Sequence, residues 1–307
     1  MTTRLYSHPI FLEHVTPPGH PERPDRLRAI AKVLAHDAFD ALDRVDAPPG
    51  DSTTLLYAHP REYIDRVYKT NPVEGMARID ADTSMSPKSW EAALTAVGAA
   101  NAAVDDVFEG RADNVFVASR PPGHHAERNR AMGFCLFNNA AIAARHAQKK
   151  HGAERVAIVD WDVHHGNGTQ ALVEDEPRIH FVSMHQWPWY PGTGAADDRG
   201  PHDTVWNVPM PPSLEPARYR EALLQAIDRA TEGFTPDLVI LSAGFDCLEG
   251  DPLGAFTLTL DDVHLLTRAL VERAEGWCGG RLVSALEGGY APDPVAQAVM
   301  VHVEALL

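Results

Sequence analysis

Five short segments of this 307-residue sequence carry side chains that together suit metal-assisted hydrolysis: 120–125, 160–168, 183–185, 243–246 and 287–290. Residues 160–168 read Asp-Trp-Asp-Val-His-His-Gly-Asn-Gly, in which Asp162 and His164 are two apart and point the same way on an extended backbone. One carboxylate and one imidazole suit zinc or a similar divalent ion. A catalytic zinc needs a third protein ligand and an open position for water, and Asp246 is the natural third ligand.

A pair of adjacent histidines, His124 and His125, follows Pro-Pro-Gly at 121–123, so both rings reach one site only from a loop. Two imidazoles beside an activated water can act as general base and then as general acid. Each ring needs a partner that fixes its tautomer, and Asp160 and Asn167 are the candidates. The alternative is that the pair itself ligates a second metal.

The two partners predict different protonation behaviour. A carboxylate raises the pKa of a histidine more than a neutral amide does. We therefore expect Asp160 to keep His124 positively biased, and the pKa of His125 beside Asn167 to stay near its ordinary value of about 6.5.

Three aromatic residues complete the candidate site. Tyr290 follows Glu-Gly-Gly, and a phenol can donate a hydrogen bond to a developing oxyanion without carrying charge. Phe134, in Gly-Phe-Cys, and Tyr190, in Trp-Tyr-Pro-Gly, are candidates for the walls of a narrow apolar channel. Ordinary structural packing is the alternative for all three.

Apolar runs typical of buried strands precede most of these segments. They are Asn114 to Ala118, Arg155 to Val159, Ile179 to Ser183, Asp237 to Ser242 and Arg281 to Leu286. Helical patterns lie between or after them, at Lys88 to Phe108, Glu215 to Ala230, Thr259 to Ala274 and Pro294 to Leu306. The alternation predicts an α/β fold with a parallel sheet covered on both faces, and ligands of such sheets bind at the carboxyl ends of the strands.

The bulk composition sets limits on partners. The formal net charge is −16, which argues against nucleic acid and is compatible with cationic substrates such as lysine-bearing chains or polyamines, or with an ordinary acidic surface. Three cysteines without a CxxC motif do not make a disulfide framework, and we find no signal peptide and no apolar run of membrane-spanning length. The expectation is one cytoplasmic domain over residues 1–307 without a membrane partner.

Taken together, these motifs resemble the histone deacetylase superfamily, which includes acetoin-utilisation proteins and acetylpolyamine amidohydrolases. The resemblance runs from about Tyr6 to the C-terminus and includes the segment His-Pro-Glu-Arg-Pro-Asp-Arg-Leu at 20–27. It implies an arginase-like α/β fold with a central, mostly parallel sheet of about eight strands.

The resemblance also assigns roles. It gives zinc to Asp162, His164 and Asp246, makes His125 the general base and acid with His124 as its electrostatic partner, and makes Tyr290 polarise the scissile carbonyl. It lines an acyl-lysine tunnel with Phe134, Tyr190, Gly133 and Gly288. It matches a structural potassium site at Asp160, Asp162, His164, Ser183 and Met184, and it places Arg26 at the inner end of the pocket.

The implied activity is zinc-dependent hydrolysis of the acyl amide of acetyl-lysine or a related acylated amine, with hydroxamates as inhibitors. The residues at two positions, Asn167 and Glu287, are similar to those of the class II and bacterial branch of the family. The close alternative is an acetylpolyamine amidohydrolase, or a deacylase of a small acylated metabolite. An arginase-type ureohydrolase would need a second metal, and an inactive binding module would have lost a site residue. The loops Ala81 to Pro87 and Gln186 to Gly194 should control access, and homo-oligomerisation stays open.

Overall fold

Eight parallel strands form the central sheet of the protein. Its structure is a computed structural model that describes residues 2–307. In chain order they are β1 (Thr3–Ser7), β2 (Asp43–Asp46), β5 (Asn114–Val117), β6 (Val156–Asp160), β7 (Ile179–Gln186), β8 (Val205–Met210), β9 (Leu238–Ala243) and β10 (Leu282–Leu286). Their spatial order is β2-β1-β5-β10-β9-β6-β7-β8. A separate antiparallel pair consists of β3 (Ala77–Arg78) and β4 (Ser84–Met85).

The four central strands, β5, β10, β9 and β6, are buried along their whole length. Because consecutive side chains of a strand point to opposite faces, both faces of the sheet are covered there. Val117 pairs with Ala285, and Asp160 pairs with Ser242, so the carboxyl ends of these strands lie level at one edge. Polar side chains that follow the strands are thereby delivered to one place.

Nine α-helices surround the sheet in the part of the chain described. They are α1 (Ile10–Glu13), α2 (Asp25–Leu34), α3 (Arg61–Thr70), α4 (Ser89–Phe108), α5 (Asn139–His151), α6 (Asn167–Val173), α7 (Pro216–Ala230), α8 (Leu260–Cys278) and α9 (Pro292–Leu306). Helices α2 and α8 pack on α9, and α4 packs on α5. Within residues 2–307, none of the helices combines the length and hydropathy that a bilayer crossing requires.

The predicted α/β class with an eight-stranded parallel sheet is confirmed. All five predicted strands are present, and their boundaries agree within one residue except that β7 continues three residues further, to Gln186. The four predicted helices correspond to α4, α7, α8 and α9. The sequence analysis did not find strands β1 to β4 and β8, or helices α1 to α3, α5 and α6.

Candidate active site

Asp162, His164 and Asp246 converge beyond the carboxyl ends of β6 and β9. One ligand atom from each lies within 4.8 Å of the others, and all three residues are buried. His164 Nδ1 lies 3.0 Å from Asp162 Oδ1 and 3.3 Å from Asp246 Oδ2. Asp246 Oδ2 accepts no hydrogen bond from any described residue, although its side chain is fully buried. A buried anionic oxygen without a donor is what a bound cation would satisfy.

The electrostatics of this cluster also favour a cation. Burial opposes a charge on His164, but the neighbouring carboxylates of Asp162 and Asp246 outweigh it and raise the pKa of His164 to about 10. Burial, together with the neighbouring charge of Asp162, raises the pKa of Asp246 to about 7. Two buried carboxylates therefore need compensating positive charge, and the donor set of two carboxylates and one imidazole fits a divalent metal ion such as zinc.

Gly288 provides the space for these carboxylates. A Cβ atom at this position would lie 2.1 Å from Asp246 Oδ2 and 2.5 Å from Asp162 Oδ2, so a larger residue would fill the cluster. The N–H of Gly288 donates to Asp162 Oδ2 at 2.8 Å. Gly288 was predicted to line the tunnel, but it lies against the carboxylates of Asp162 and Asp246 and is not among the residues that line the cavity.

His124 is held by a carboxylate, as predicted. Its Nδ1 lies 2.9 Å from Asp160 Oδ2, and its Nε2 lies 3.8 Å from Asp162 Oδ1. Burial disfavours the charged ring, but the charges of Asp162 and Asp160 outweigh it and hold the pKa of His124 well above its ordinary value. This ring is therefore suited to carry positive charge.

His125 has the predicted partner but not the predicted pKa. Its Nδ1 lies 2.7 Å from Asn167 Oδ1. Burial, reinforced by the charges of His124 and His164, moves the pKa of His125 well below 6.5, so the expectation of a near-ordinary value was wrong. The sequence could not reveal this, because the shift comes from desolvation in the assembled site.

Glu127, which the sequence analysis did not single out, sets the orientation of the Asn167 amide. Asn167 Nδ2 donates to Glu127 Oε1 at 2.8 Å, which leaves Asn167 Oδ1 as the atom that faces His125. His125 Nδ1 must then carry a proton and donate a hydrogen bond to this oxygen. The lone pair of His125 is consequently on Nε2.

Glu287 was noted only as a branch marker, yet it supports the histidine pair. Glu287 Oε2 accepts hydrogen bonds from the N–H of Gly123 at 2.6 Å and of His124 at 3.1 Å. Burial raises the pKa of Glu287 to about 7. Backbone donors separated from Glu287 by more than 160 residues give no pattern in the sequence, so this contact could be found only from the structure.

Tyr290 and Arg26 meet at the inner end of the site. The Arg26 guanidinium lies over the Tyr290 ring, 5.2 Å from its centroid. Arg26 also donates to the carbonyl oxygens of Gly289 and Glu287, and its Nη1 lies 3.2 Å from Glu22 Oε1. Burial raises the pKa of the Tyr290 phenol well above its ordinary value, so the hydroxyl stays protonated and can donate.

A narrow cavity of about 220 Å³ leads to this site. Its walls are Asp82, His125, Gly133, Phe134, His164, Trp189, Tyr190, Leu253 and Tyr290. Phe134 contacts Tyr290 edge to face with ring centroids 5.7 Å apart, and Tyr190 contacts His125 at 5.1 Å. A Cβ atom on Gly133 would lie 2.2 Å from His125 Cδ2, so the wall and the histidine ring are in close contact.

Two loops that were predicted to control access do contribute to this tunnel. Asp82 Oδ1 accepts from the N–H of Gly133 at 3.0 Å, and Tyr190 Oη donates to Asp82 Oδ2 at 3.0 Å. Asp82, Trp189 and Leu253 were not predicted as tunnel residues, because nothing in the spacing of loop residues indicates which side chains face a cavity.

A family model described as the histone deacetylase domain matches residues 20–306. The chain belongs to the histone deacetylase family. It is similar to a histone deacetylase-like amidohydrolase of Pseudomonas aeruginosa, with 40% identity over 286 residues, 90% of this chain and 75% of the relative. A probable deacetylase of Archaeoglobus fulgidus is 35% identical over 300 residues, 95% of this chain and 82% of the relative.

The fold of this histone deacetylase-family chain agrees with a solved structure. The crystal structure of the HDA15 HD domain superposes with a TM-score of 0.92 at 36% identity, covering 99% of this chain and 90% of that chain. The family expected from the sequence motifs is therefore confirmed. The chain is a deacetylase or amidohydrolase of the histone deacetylase family.

The residues assigned to potassium lie on two neighbouring strands of this histone deacetylase fold, β6 and β7, or in the segment that directly follows β6. Asp160 pairs in register with Ser183, and Met184 follows in β7. The N–H of Asp162 donates to Asp160 Oδ1 at 3.1 Å, and Ser183 Oγ accepts from Gly166 at 3.4 Å. All are buried. The segments are thus adjacent, and potassium binding stays a prediction.

A second cluster of ligand-type residues lies between α4 and α5, away from the family's site. His146 Nε2 and His151 Nε2 lie 2.8 and 2.7 Å from the same Asp105 oxygen. Lys150 Nζ donates to the other oxygen of Asp105 at 2.7 Å. Because Lys150 already compensates the charge of the Asp105 carboxylate, we interpret this cluster as a hydrogen-bonded ion-pair network between the two helices.

Proposed function

We propose that this histone deacetylase-family protein is a zinc-dependent deacylase that removes the acyl group from the side-chain amide of acetyl-lysine or a related acylated amine. The observation that carries the proposal is the buried oxygen of Asp246, which accepts no hydrogen bond from the described residues and lies beside Asp162 and His164. The tunnel reaches this cluster, because His164 lines it together with His125 and Tyr290. Potassium at Asp160, Asp162, His164, Ser183 and Met184 would be structural.

The metal would be held by Asp162, His164 and Asp246. When bound there, it would polarise the acyl oxygen and lower the pKa of an attacking water. The remaining chemistry belongs to side chains of the protein.

His125 is the general base in this proposal. Asn167 fixes its tautomer so that Nε2 is free to accept a proton, and the lowered pKa keeps the ring neutral before attack. The same proton can then pass to the leaving amine, which makes His125 the general acid of the second half-reaction. His124, positively charged beside Asp160, would stabilise the negative charge that develops between these steps.

Tyr290 donates a hydrogen bond to the developing oxyanion. Its raised pKa keeps the proton on the phenol, and the Arg26 guanidinium packs on the face of the ring. Phe134 and Tyr190 would enclose the apolar chain of a lysine-type substrate and exclude bulk water, which strengthens each polar interaction at the reacting atoms.

The net charge of −16 favours an amine product that is cationic, whether a lysine residue or a polyamine. Metal-loaded protein should be assayed side by side on acetyl-lysine peptides, acetylpolyamines, longer acyl-lysines and small acylated metabolites. The control is His125→Ala. We expect hydrolysis of at least one acyl amide, with kcat/KM highest for acetyl-lysine peptides. Failure to cleave any member of the panel, in protein with one metal per chain, would contradict the proposal.

A further inference from the structure

The peptide group between Gly289 and Tyr290 is held at both ends by buried side chains from distant parts of the chain. Arg26 Nε donates to the Gly289 carbonyl oxygen, and the N–H of Tyr290 donates to Asp251 Oδ2 at 2.7 Å. Arg26 is fully buried, and Asp251 is 8% exposed. Because the carbonyl and the N–H of one peptide group share a plane, these two bonds fix the plane from which the Tyr290 side chain projects.

The turn has little support of its own. Gly289 has a φ of +110°, a backbone conformation that side-chain-bearing residues rarely adopt. Gly288 precedes it and also lacks a side chain that could pack. Two consecutive glycines leave the backbone more freedom than any other pair of residues. The orientation of Tyr290 therefore depends on contacts made from outside the turn.

Asp251 uses its second oxygen on the tunnel wall. The N–H of Leu253 donates to Asp251 Oδ1 at 2.9 Å, and Leu253 lines the cavity. The carbonyl oxygen of Leu253 accepts from Trp189 Nε1 at 2.8 Å. The carboxylate of Asp251 thus connects Tyr290 at the end of the tunnel with Leu253 in the wall. Through Leu253 it is also connected with Trp189 in the loop Gln186 to Gly194.

We propose that Asp251 is a positioning residue for Tyr290. Its carboxylate holds the Gly289–Tyr290 peptide at the angle that places the phenol for oxyanion donation, and it keeps Leu253 aligned with that site. Asp251 is not among the residues that line the cavity, so it acts through Tyr290 and not on the substrate. The catalytic part of this inference rests on the proposed function; the structural part does not.

The test uses Asp251→Asn, which replaces one acceptor oxygen by an amino group that cannot accept from an N–H. The matched control is Asp262→Asn. Asp262 is buried to a similar extent, at 4% exposure, but its carboxylate accepts hydrogen bonds from Thr259, which caps α8, and from Arg220 of α7. The control should lower the Tm through the loss of a helix cap and leave kcat within about threefold of the parent.

The kinetic measurement is a double-mutant cycle with Tyr290→Phe. Asp251→Asn alone should lower kcat about 10- to 100-fold, with a smaller change in KM, because a catalytic group displaced by about 1 Å loses up to about 100-fold. In the Tyr290→Phe background, the same substitution should lower kcat by less than about threefold, since the hydroxyl that Asp251 positions is already absent. Equal losses in both backgrounds would overturn the proposal.

The second measurement does not depend on activity. Hydrogen exchange of the amides of residues 286–291 should be about ten- to hundredfold faster in Asp251→Asn, as expected for the loss of a charged hydrogen bond, and unchanged in Asp262→Asn. Unchanged exchange in Asp251→Asn would overturn the positioning role even if no substrate were found. If Asp251→Asn does not fold, Asp251→Glu, which keeps the charge and displaces the carboxylate, takes its place in both measurements.

Discussion

Asn167 faces His125 with its oxygen, 2.7 Å from Nδ1, because its amino group donates to Glu127. The histidine in this pair therefore has a neutral hydrogen-bond acceptor, whereas its neighbour His124 has the carboxylate of Asp160. The two adjacent rings consequently differ in charge: burial lowers the pKa of His125, and the carboxylates raise that of His124.

Asn167→Asp should change the pH dependence of hydrolysis. A carboxylate beside Nδ1 stabilises the protonated ring and raises the pKa of His125. His125 must be neutral to act as a base, so the acidic limb of the kcat/KM profile should move to higher pH. In the parent, where the pKa of His125 lies below 6.5, that limb should lie below about pH 6.5. An unmoved limb in a folded, metal-loaded variant would show that Asn167 does not tune the base.

Tyr290→Phe should lower kcat about 100- to 1,000-fold, the usual cost of losing an oxyanion donor. The substitution removes one hydroxyl and keeps the ring that contacts Phe134 and Arg26. Metal content and Tm should therefore stay close to those of the parent. A kcat within about threefold of the parent would mean that Tyr290 is only structural.

Removal of the metal should abolish hydrolysis, and zinc, cobalt or ferrous ion should restore it. The parent should bind one divalent ion per chain with high affinity by elemental analysis, and Asp246→Asn should lose it because one of the three ligands is then neutral. His151→Gln is the matched control, since it alters the network between α4 and α5 and should retain the ion. Full activity in protein shown to be free of metal would contradict the assignment.

A hydroxamate with an aromatic cap should inhibit competitively, and Phe134→Ala should weaken it. Phe134 and Tyr190 both line the tunnel, and the loss of a buried aromatic contact costs about 1–3 kcal/mol, or about 5- to 150-fold in Ki. The exposed Leu265→Ala, at 51% exposure, serves as a control and should leave Ki unchanged. No inhibition well above micromolar concentrations, or no effect of Phe134→Ala, would remove the tunnel assignment.

Glu22 should make the fold sensitive to acid. Arg120 and Arg26 hold its buried carboxylate, and although burial opposes ionisation, these charges lower the pKa of Glu22 to about 2. A depressed folded-state pKa stabilises the fold above the unfolded-state value of about 4.3, and this contribution disappears as the pH falls toward 2.

Glu22→Gln should therefore lower the free energy of unfolding by about 3–5 kcal/mol at pH 7, because it leaves buried guanidinium charge uncompensated. The difference from the parent should shrink between about pH 4.3 and 2. Glu91→Gln, in an exposed pair with Lys88, should cost less than about 1 kcal/mol over the same range. Denaturant unfolding at several pH values checks both, and a pH-independent difference would assign the effect of Glu22 to packing.

The sequence predicted the central strands, which are buried and apolar, and it missed both edge strands of the sheet as well as β1 beside one of them. Strands β5, β6, β9 and β10 read as continuous apolar runs because both of their faces are covered. Strand β2, Asp-Arg-Val-Asp, has a single apolar residue and lies at the edge of the sheet, and β8 contains Pro209. Edge strands of this kind lack the signal on which the prediction depends.

The reactive side chains were found because their types and local spacing carry the chemistry, whereas their supports were not. Glu127, Asp251 and Glu287 act on an amide or on backbone N–H groups that are 39 to 164 residues away in sequence. Any acidic residue at those positions would read as an ordinary surface charge. Only the assembled sheet shows which of them are buried beside the site.

The last strand of the chain lies in the middle of the sheet, with β5 on one side and β9 on the other. His124 and His125 follow β5, whereas Asp162 and Asp246 follow β6 and β9, so β10 separates the half of the sheet that carries the proton-transfer residues from the half that carries the ligand set. Residues 282–290 join the two halves and also carry Tyr290, so one short segment completes both the sheet and the set of side chains at its edge.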